Sequence, residues 1–343
     1  MGKAAIRYEF DDKPEIGHTF EIANGVHWLR MPLPFALQHI NLWLLADGDG
    51  WIVFDSGLGD AASKTIWENT FSSVMGDAPI NHVVITHMHP DHVGCAGWLT
   101  ERFDVDLWMT REEYALCRLL TADTGRPAPD AGINFYKSAG YSPEALERYR
   151  KVFGFFGKFI TPLPKSYRRL HDGQKGPVGD HEWEVVVGRG HSPEHACFYN
   201  EESNLLVSGD QVLPVISSNV SVYPIEPEAN PLLDWIESLR TIRDRIPEDV
   251  LVLPAHGKPF RGAHERIDTL IADHMTQLDT LFEYCAEPRR AVDVFPALYR
   301  TKITSDNLMF ATGEAIAHLH FLLDEDRITA ERDADEIIWY RQN

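Results

Sequence analysis

The stretch ITHMHPDHVG, from Ile85 to Gly94, places three histidines and one aspartate within six residues. Imidazole nitrogens and carboxylate oxygens are the usual ligands of zinc and of similar divalent ions. His87 and His89 alternate along an extended loop and can reach one ion, whereas Asp91 and His92 point to a neighbouring position. Because four such close residues cannot surround one tetrahedral ion without strain, two ions about 3.5–4 Å apart suit them better. The stretch therefore predicts part of a two-metal site.

The sequence around this stretch offers three more ligands of the same kind. The apolar run NHVVIT precedes the cluster and predicts a buried strand, so the ligands lie at the carboxyl end of a strand, where α/β folds commonly place sites. His191, Asp210 and His256 likewise follow the apolar runs EVVVGRG, NLLVSG and VLVLPA. With Asp210 as the bridge, the predicted ligands are His87, His89 and His191 on one side and Asp91, His92 and His256 on the other.

The ordered motifs THMHPDHVG, GHSPEH, SGD and PAHG resemble those of the metallo-β-lactamase superfamily, and FDSGLG at 54–59 resembles that family's Asp-x-Gly turn. The resemblance covers roughly residues 20–260. It implies an α/β fold, a four-layer αβ/βα sandwich with the metals in a cleft at the edge of two sheets. The chain departs from the family at Glu194 and Cys95, where glycine is frequent. Residues after about 263 resemble the winged-helix extension of the beta-lactamase-like protein 2 subgroup.

The domain organisation follows from these patterns. We predict a catalytic domain over 1–262, with a helical, aromatic-rich insert at about 111–170, and a winged-helix-like unit over 263–343. Strands are expected over 19–55 with a hairpin at Asp-Gly-Asp-Gly, and a helix is expected to begin at Ser142 and Pro143. Helices followed by a hairpin in RITAERDADEIIWYRQ are expected in the C-terminal unit.

Composition and charge limit the classes of function. The 343 residues are 44% hydrophobic and 24% charged, as in ordinary globular proteins. The net charge of −20 disfavours nucleic acid as a partner, and 263–343 carries 8 Lys plus Arg against 16 Asp plus Glu. We read that unit as a packing or dimerisation element, which leaves a homodimer open.

With no export signal or apolar span recognised, we expect a cytoplasmic protein that is not membrane-bound, with four free thiols.

Several residues near the predicted site keep two interpretations. Asp55 either orients the metal-binding loop or simply forms a turn. His195 either hydrogen-bonds near the substrate or is a structural histidine, and Cys95 is read as a packed small residue. The aromatic side chains of the insert either pack it onto the main domain or wall an acyl pocket over the metals. The residues named for that pocket are Phe135, Tyr136, Phe155 and Phe156.

The predicted activity is hydrolysis of a thioester or ester, similar to that of glyoxalase II, on a small-molecule acyl substrate. Two ions, zinc first and iron or manganese as alternatives, would hold a bridging hydroxide at neutral pH. Asp210 would be shared by the two ions, and Asp91 could take up the proton of the water. Lactone hydrolysis, phosphodiester or RNA cleavage, and iron-dependent persulfide dioxygenation are the alternatives.

Overall fold

The computed structural model describes residues 6–34, 37–76, 78–178 and 181–343. The strands of this part are β1 (Arg7–Tyr8), β2 (Thr19–Ala23), β3 (Val26–Pro32), β4 (His39–Asp47), β5 (Gly50–Phe54), β6 (Ile80–Val84), β7 (Leu107–Thr110), β8 (Arg168–Leu170), β9 (Lys175–Val178), β10 (His181–Gly188), β11 (His195–Asn200), β12 (Leu205–Gly209), β13 (Leu251–Pro254), β14 (Phe260–Arg261), β15 (Ile328–Arg332) and β16 (Ile338–Gln342). The helices are α1 (Ala61–Ser73), α2 (Pro90–Val93), α3 (Ala96–Phe103), α4 (Arg111–Ala122), α5 (Asp130–Ser138), α6 (Pro143–Val152), α7 (Pro231–Arg245), α8 (Ala263–Tyr284), α9 (Phe295–Leu298) and α10 (Leu308–Asp324). Two short 3₁₀ turns cover Phe156–Phe159 and Ala291–Asp293.

Two seven-stranded sheets form the centre of the described molecule. The first has the order β2-β3-β4-β5-β6-β7-β8, and the second has the order β1-β14-β13-β12-β11-β10-β9. In the first sheet β5 to β8 run parallel, and in the second β12 and β13 run parallel. Parallel neighbours bring their carboxyl ends to the same edge of a sheet, which places the segments after β5, β6, β12 and β13 where a site can form.

The interior between the sheets is packed with large aromatic and aliphatic side chains. Trp28, Trp43, Phe54, Trp183 and Phe198 are almost fully buried there, and the two indole rings of Trp28 and Trp43 stack at 6.0 Å. Burial of such side chains from both inner faces supplies the main driving force for this arrangement. The outer face of the first sheet is covered by α1, α3 and α4, and that of the second by α7, α8 and α10. The four-layer αβ/βα sandwich implied by the resemblance is therefore confirmed.

Local predictions are confirmed where turn and cap chemistry is strong. Gly48, with φ +58°, and Asp49 join β4 to β5 in a two-residue hairpin. The Ser142 hydroxyl accepts a hydrogen bond from Ala145 N at the start of α6, with Pro143 as the first helical residue. The C-terminal hairpin consists of β15 and β16.

The C-terminal segment packs against the second sheet over a shared core. Ile267 and Leu270 of α8 and Leu319 of α10 lie in one buried cluster with Val186 and Val252 of the sheet. The division at 262/263 stays a prediction, and the cluster joins both sides of it. Within the described ranges, no helix has the length and apolarity needed to cross a bilayer. All four cysteines are free, as predicted, and the structure shows that all four are buried.

Candidate metal centre

The metal-binding loop follows β6 and runs into the short helix α2. Because β5 and β6 are parallel, Asp55 and Thr86 emerge at the same sheet edge. Asp210 follows β12 directly, and His256 comes two residues after its parallel neighbour β13. The fold thus gathers side chains that are distant in sequence at the edge between the two sheets.

Seven side chains form two groups. Within each group, the candidate ligand atoms lie within 4.8 Å of one another. In the first group, His87 Nε2 lies 2.8 Å from His89 Nδ1 and 3.3 Å from His191 Nε2. In the second group, His256 Nε2 lies 3.6 Å from Asp91 Oδ2. The members of the first group are His87, His89, His191 and Asp210, and those of the second are Asp91, His92 and His256.

The Asp210 carboxylate lies between the groups with one oxygen toward each. Its Oδ2 is 3.5 Å from His191 Nε2, and its Oδ1 is 3.4 Å from His256 Nε2 and 3.6 Å from His92 Nε2. Asp210 Oδ1, His92 Nε2 and His256 Nε2 are buried and have no hydrogen-bond partner. Other buried polar atoms of the described part also lack a partner, but these three converge on one point, which fits divalent cations. The chemistry of the donors and their placement therefore fit a two-metal site in which Asp210 is shared.

Hydrogen bonds at Nδ1 set the tautomers of three histidines. His191 Nδ1 lies 2.8 Å from the Asn219 carbonyl, and His256 Nδ1 lies 2.8 Å from the His39 carbonyl. His92 Nδ1 lies 2.8 Å from Asp55 Oδ2. Since carbonyl and carboxylate oxygens only accept, each Nδ1 carries a proton, and each Nε2 faces the centre, where it can bind a cation once its ring is neutral.

Burial and charge separate the protonation states in this cluster. Burial, with the surrounding histidines, lowers the pKa of His87 and His89, which keeps these imidazoles neutral and able to bind a cation. Burial opposes the charged form of His92, but Asp55 and Asp210 outweigh it and raise the pKa of His92. Burial acts against the Asp210 carboxylate as well, yet His256 and His92 hold its pKa well below the usual range.

Asp55 contacts the metal-binding loop directly. It is buried, has φ +62°, and its Oδ1 accepts hydrogen bonds from Thr86 N at 2.8 Å and Thr86 Oγ1 at 3.0 Å. Its Oδ2 accepts from His92 Nδ1. These contacts favour the orienting interpretation over that of a plain turn.

His195 lies behind the first group. Its Nε2 accepts a hydrogen bond from Asp210 N at 3.0 Å, and its ring stacks on that of His87 with centroids 4.7 Å apart. The side chain is fully buried. Its contacts support a structural histidine that positions Asp210.

Glu113 is a residue that the sequence analysis missed. It is fully buried at the start of α4, and its two oxygens accept hydrogen bonds from Met88 N at 2.8 Å and Glu194 N at 2.9 Å. One carboxylate therefore ties the His87–His89 backbone to the loop that follows His191. The sequence Arg-Glu-Glu-Tyr reads as an ordinary first helical turn, and only the position of α4 at the same sheet edge could have pointed to Glu113.

The four aromatics predicted to wall a pocket lie in different clusters. Phe135 and Tyr136 pack with Tyr141 and Tyr149 in a cluster that also includes Val292, Leu308 and Met309 of the C-terminal segment. Phe156 packs against the core under the first sheet, and Phe155 is 42% exposed with Lys158 over its ring. The described contacts favour packing for Phe135, Tyr136 and Phe156, and the acyl pocket stays a prediction.

The two departures from the family pattern have local structural roles. Glu194 Oε2 accepts a hydrogen bond from Glu112 N at 2.9 Å at the start of α4. The Cys95 thiol is fully buried and lies 3.0 Å from the Leu58 carbonyl. Burial raises the pKa of Cys95 to about 12, which agrees with a packed, unreactive side chain.

Gly209 gives a test of how tightly the centre is packed. It has φ +49°, and a Cβ there would lie 2.5 Å from His195 Nε2. We expect Gly209→Ala to lower the free energy of unfolding by about 3 kcal/mol, since backbone strain adds to the clash. Gly173→Ala is the control, because Gly173 has φ +70° with open space around it, and about 1 kcal/mol is expected there. If urea unfolding shows the same decrease in the free energy of unfolding for both variants, the His195 side chain moves aside at no cost.

Comparisons with known proteins agree with this geometry. A family model described as the metallo-beta-lactamase superfamily matches residues 37–257, and one described as metallo-beta-lactamase-like, C-terminal domain, matches 278–343. A probable metallo-hydrolase, YqjP, of Bacillus subtilis is 26% identical over 88% of this chain and 93% of its own. An atrochrysone carboxyl ACP thioesterase of Aspergillus fumigatus is 25% identical over 89% of this chain and 57% of its own.

Solved structures give the same assignment. A beta-lactamase domain protein from Burkholderia ambifaria is 41% identical, with TM-score 0.90 and 98% of both chains covered. A metallo-beta-lactamase family protein from Thermus thermophilus is 25% identical, with TM-score 0.79, covering 94% of this chain and 100% of its own. Together the sandwich and its buried His/Asp metal-binding cluster define a metallo-hydrolase. The chain belongs to the metallo-beta-lactamase superfamily, with that family's C-terminal domain attached.

Proposed function

We propose that this metallo-hydrolase cleaves a thioester or ester that carries an apolar acyl group, with two divalent ions, zinc first among them. The observation that carries the proposal is a set of exposed apolar side chains on chain segments near the predicted ligands in sequence or in contact, which we call the apolar rim. Half of the exposed large apolar side chains in the described part lie on chain segments that adjoin the predicted ligands. The exposed fractions of these side chains are 38% to 65%. This apolar rim consists of Leu37, Val215, Ile216, Ile225 and Phe310.

Contacts of adjoining residues connect Leu37, Val215 and Phe310 of the apolar rim to segments that hold the predicted ligands. Leu37 lies two residues before His39, whose carbonyl holds His256. Val215 follows Pro214, which packs so closely on Gly257 that a Cβ at Gly257 would lie 2.5 Å from it. The Phe310 carbonyl lies 3.3 Å from Ser221 Oγ, two residues after Asn219. An exposed apolar surface of this kind suits an apolar part of a substrate.

The chain's own residues suit a leaving group that needs no proton. When bound, two such cations supply a nucleophilic water of pKa about 7 and polarise a carbonyl. His92, His191 and His256 are each held at Nδ1 and turn Nε2 toward the metal centre, so none would be a free proton donor with the ions bound. Asp91 keeps 19% side-chain exposure and can hold a proton taken from water. A thiolate departs unprotonated, whereas an amine does not, which favours thioesters. The name of the Aspergillus relative supports the same choice.

The test is thiol release from acyl thioesters of two to twelve carbons, measured with metal-loaded and metal-stripped protein. Neutral N-acetylcysteamine thioesters accompany the coenzyme A series, because the net charge of −20 repels anionic substrates. We expect metal-dependent release that increases with chain length. Phe310→Ala is expected to lower kcat/KM for long chains about tenfold, from the loss of about 1–2 kcal/mol of apolar contact, and to leave short chains unchanged.

The control for Phe310 is Phe20→Ala, since Phe20 is an exposed phenylalanine on the edge strand β2. Phe155→Ala with Phe156→Ala separates the insert from the apolar rim, since a pocket there would raise KM for long acyl groups more than for short ones. Equal losses in the Phe310 and Phe20 variants would refute the rim as the acyl site. Absence of release by protein that holds two ions would move the proposal to esters and lactones, and then to phosphodiesters.

A further inference from the structure

The segment that follows Asp210 forms one side of the metal centre and touches two ligands. We call residues 211–222, between β12 and α7, the active-site loop. Ser218 Oγ donates a hydrogen bond to the Asp210 carbonyl, and the Asn219 carbonyl holds His191 Nδ1. The position of this loop therefore decides the tautomer and orientation of His191.

The C-terminal unit holds the active-site loop along its length. The buried Arg266 of α8 donates to the Leu213 carbonyl at 2.6 Å and to the Ile216 carbonyl at 2.8 Å. From α10, the Gly313 carbonyl accepts a hydrogen bond from Val222 N at 3.1 Å. A Cβ at Gly313 would lie 2.7 Å from Ser221 Cβ, so the helix backbone and the loop are in close contact.

Three hydrogen bonds in series, all donated in the same direction, link the active-site loop to the C-terminal unit. His318 Nδ1 lies 2.8 Å from the Glu314 carbonyl, so His318 donates there and accepts at Nε2 from His274 Nδ1, 3.1 Å away. His274 Nε2 then accepts from Ser217 Oγ at 2.9 Å. Burial lowers the pKa of His274 to about 3 and that of His318 to about 4, which keeps both neutral as this chain requires.

Glu314 of α10 connects the unit to the metal ligand. Its Oε2 accepts a hydrogen bond from Asn219 Nδ2 at 3.3 Å and lies 3.2 Å from the Tyr299 hydroxyl. The Asn219 side chain is held further by Ser221 Oγ, 2.7 Å from its Oδ1. Held in this way, Asn219 directs its carbonyl to His191.

We infer that the C-terminal unit is the frame that positions the active-site loop, and that Glu314, through Asn219, is a positioning residue for His191. The inference rests on the metal centre of the proposed function and not on the identity of the substrate. It gives this acidic unit a role in the hydrolase itself. A change in an outer partner of a ligating histidine typically weakens metal binding by about 10- to 100-fold.

The test is zinc titration of metal-stripped protein, with hydrogen exchange of the active-site loop as the second readout. We expect Glu314→Ala to weaken one of the two zinc equivalents about tenfold and to speed exchange over 211–222. Glu314→Gln keeps an acceptor for Asn219 Nδ2, so we expect affinity within about threefold of wild type. Glu283→Ala, at an exposed glutamate of α8, is the matched control and should behave as wild type.

If Glu314→Ala binds both zinc equivalents with wild-type affinity, and the active-site loop exchanges hydrogen at the wild-type rate, the inference is overturned. If that variant does not fold, Ser217→Ala decides, since it removes only the hydroxyl bonded to His274. Faster loop exchange in Ser217→Ala supports the positioning role, and wild-type exchange with wild-type affinity overturns it. Neither readout uses a substrate, so a protein that fails to cleave thioesters leaves this test intact.

Discussion

Asp210→Ala is expected to remove both metal binding and hydrolysis. Asp210 has one oxygen toward each ligand group, and its buried Oδ1 has no hydrogen-bond partner. Without it, the group of His87, His89 and His191 loses its only carboxylate, and nothing bridges the two groups. We expect bound zinc to fall from about two equivalents to below one, and kcat/KM to fall about 1000-fold or more.

Metal content by mass spectrometry and thioester turnover on the same preparation check this result. Asp249→Ala is the control, because Asp249 is an exposed aspartate two residues before β13, the strand that leads to His256. A variant at Asp210 that keeps two ions and full turnover would disprove its bridging position.

Glu113→Gln is expected to have the second largest effect, although glutamine has nearly the same shape. The carboxylate of Glu113 accepts one backbone N–H with each oxygen, from Met88 and from Glu194. The amide offers one acceptor and turns an NH₂ group toward the other N–H. A buried unsatisfied donor costs about 1–3 kcal/mol, and the loops of His87, His89 and His191 then separate. We expect zinc affinity to fall about 10- to 100-fold, with a loss of turnover in proportion.

Glu112→Gln is the matched control for this prediction. Glu112 is the preceding residue on α4, and its side chain is exposed. Zinc affinity from chelator competition should be unchanged in that variant. If Glu113→Gln binds both ions as tightly as wild type, the two loops hold their positions without the carboxylate.

Much of the candidate site was predictable from the chemistry of short stretches of sequence. His and Asp side chains after apolar runs indicated all seven members of the two groups, because strand ends are where such side chains converge. The hairpin at Gly48 and the helix start at Ser142 were predictable because turn and cap preferences act within a few residues. The C-terminal hairpin followed from short alternating runs in the same way.

Residues that act across long sequence distances were not predictable in this way. Glu113 looks like its exposed neighbour Glu112 until α4 places it between two loops. The aromatics of the insert could not be sorted by sequence either, since packing alone decides that Tyr136 is buried and Phe155 is exposed.

The sequence by itself indicated the residue types of the candidate metal centre, because His and Asp side chains directly follow apolar runs, and its ordered motifs resembled one family, which implied the αβ/βα architecture. Only the tertiary structure decided which atoms hold those ligands: Asp55 for His92, His39 for His256, and Asn219 for His191. It also decided that α8 and α10 contact the active-site loop. The physical reason is that a hydrogen bond depends on distance and direction in space, which the fold sets between residues up to 217 positions apart.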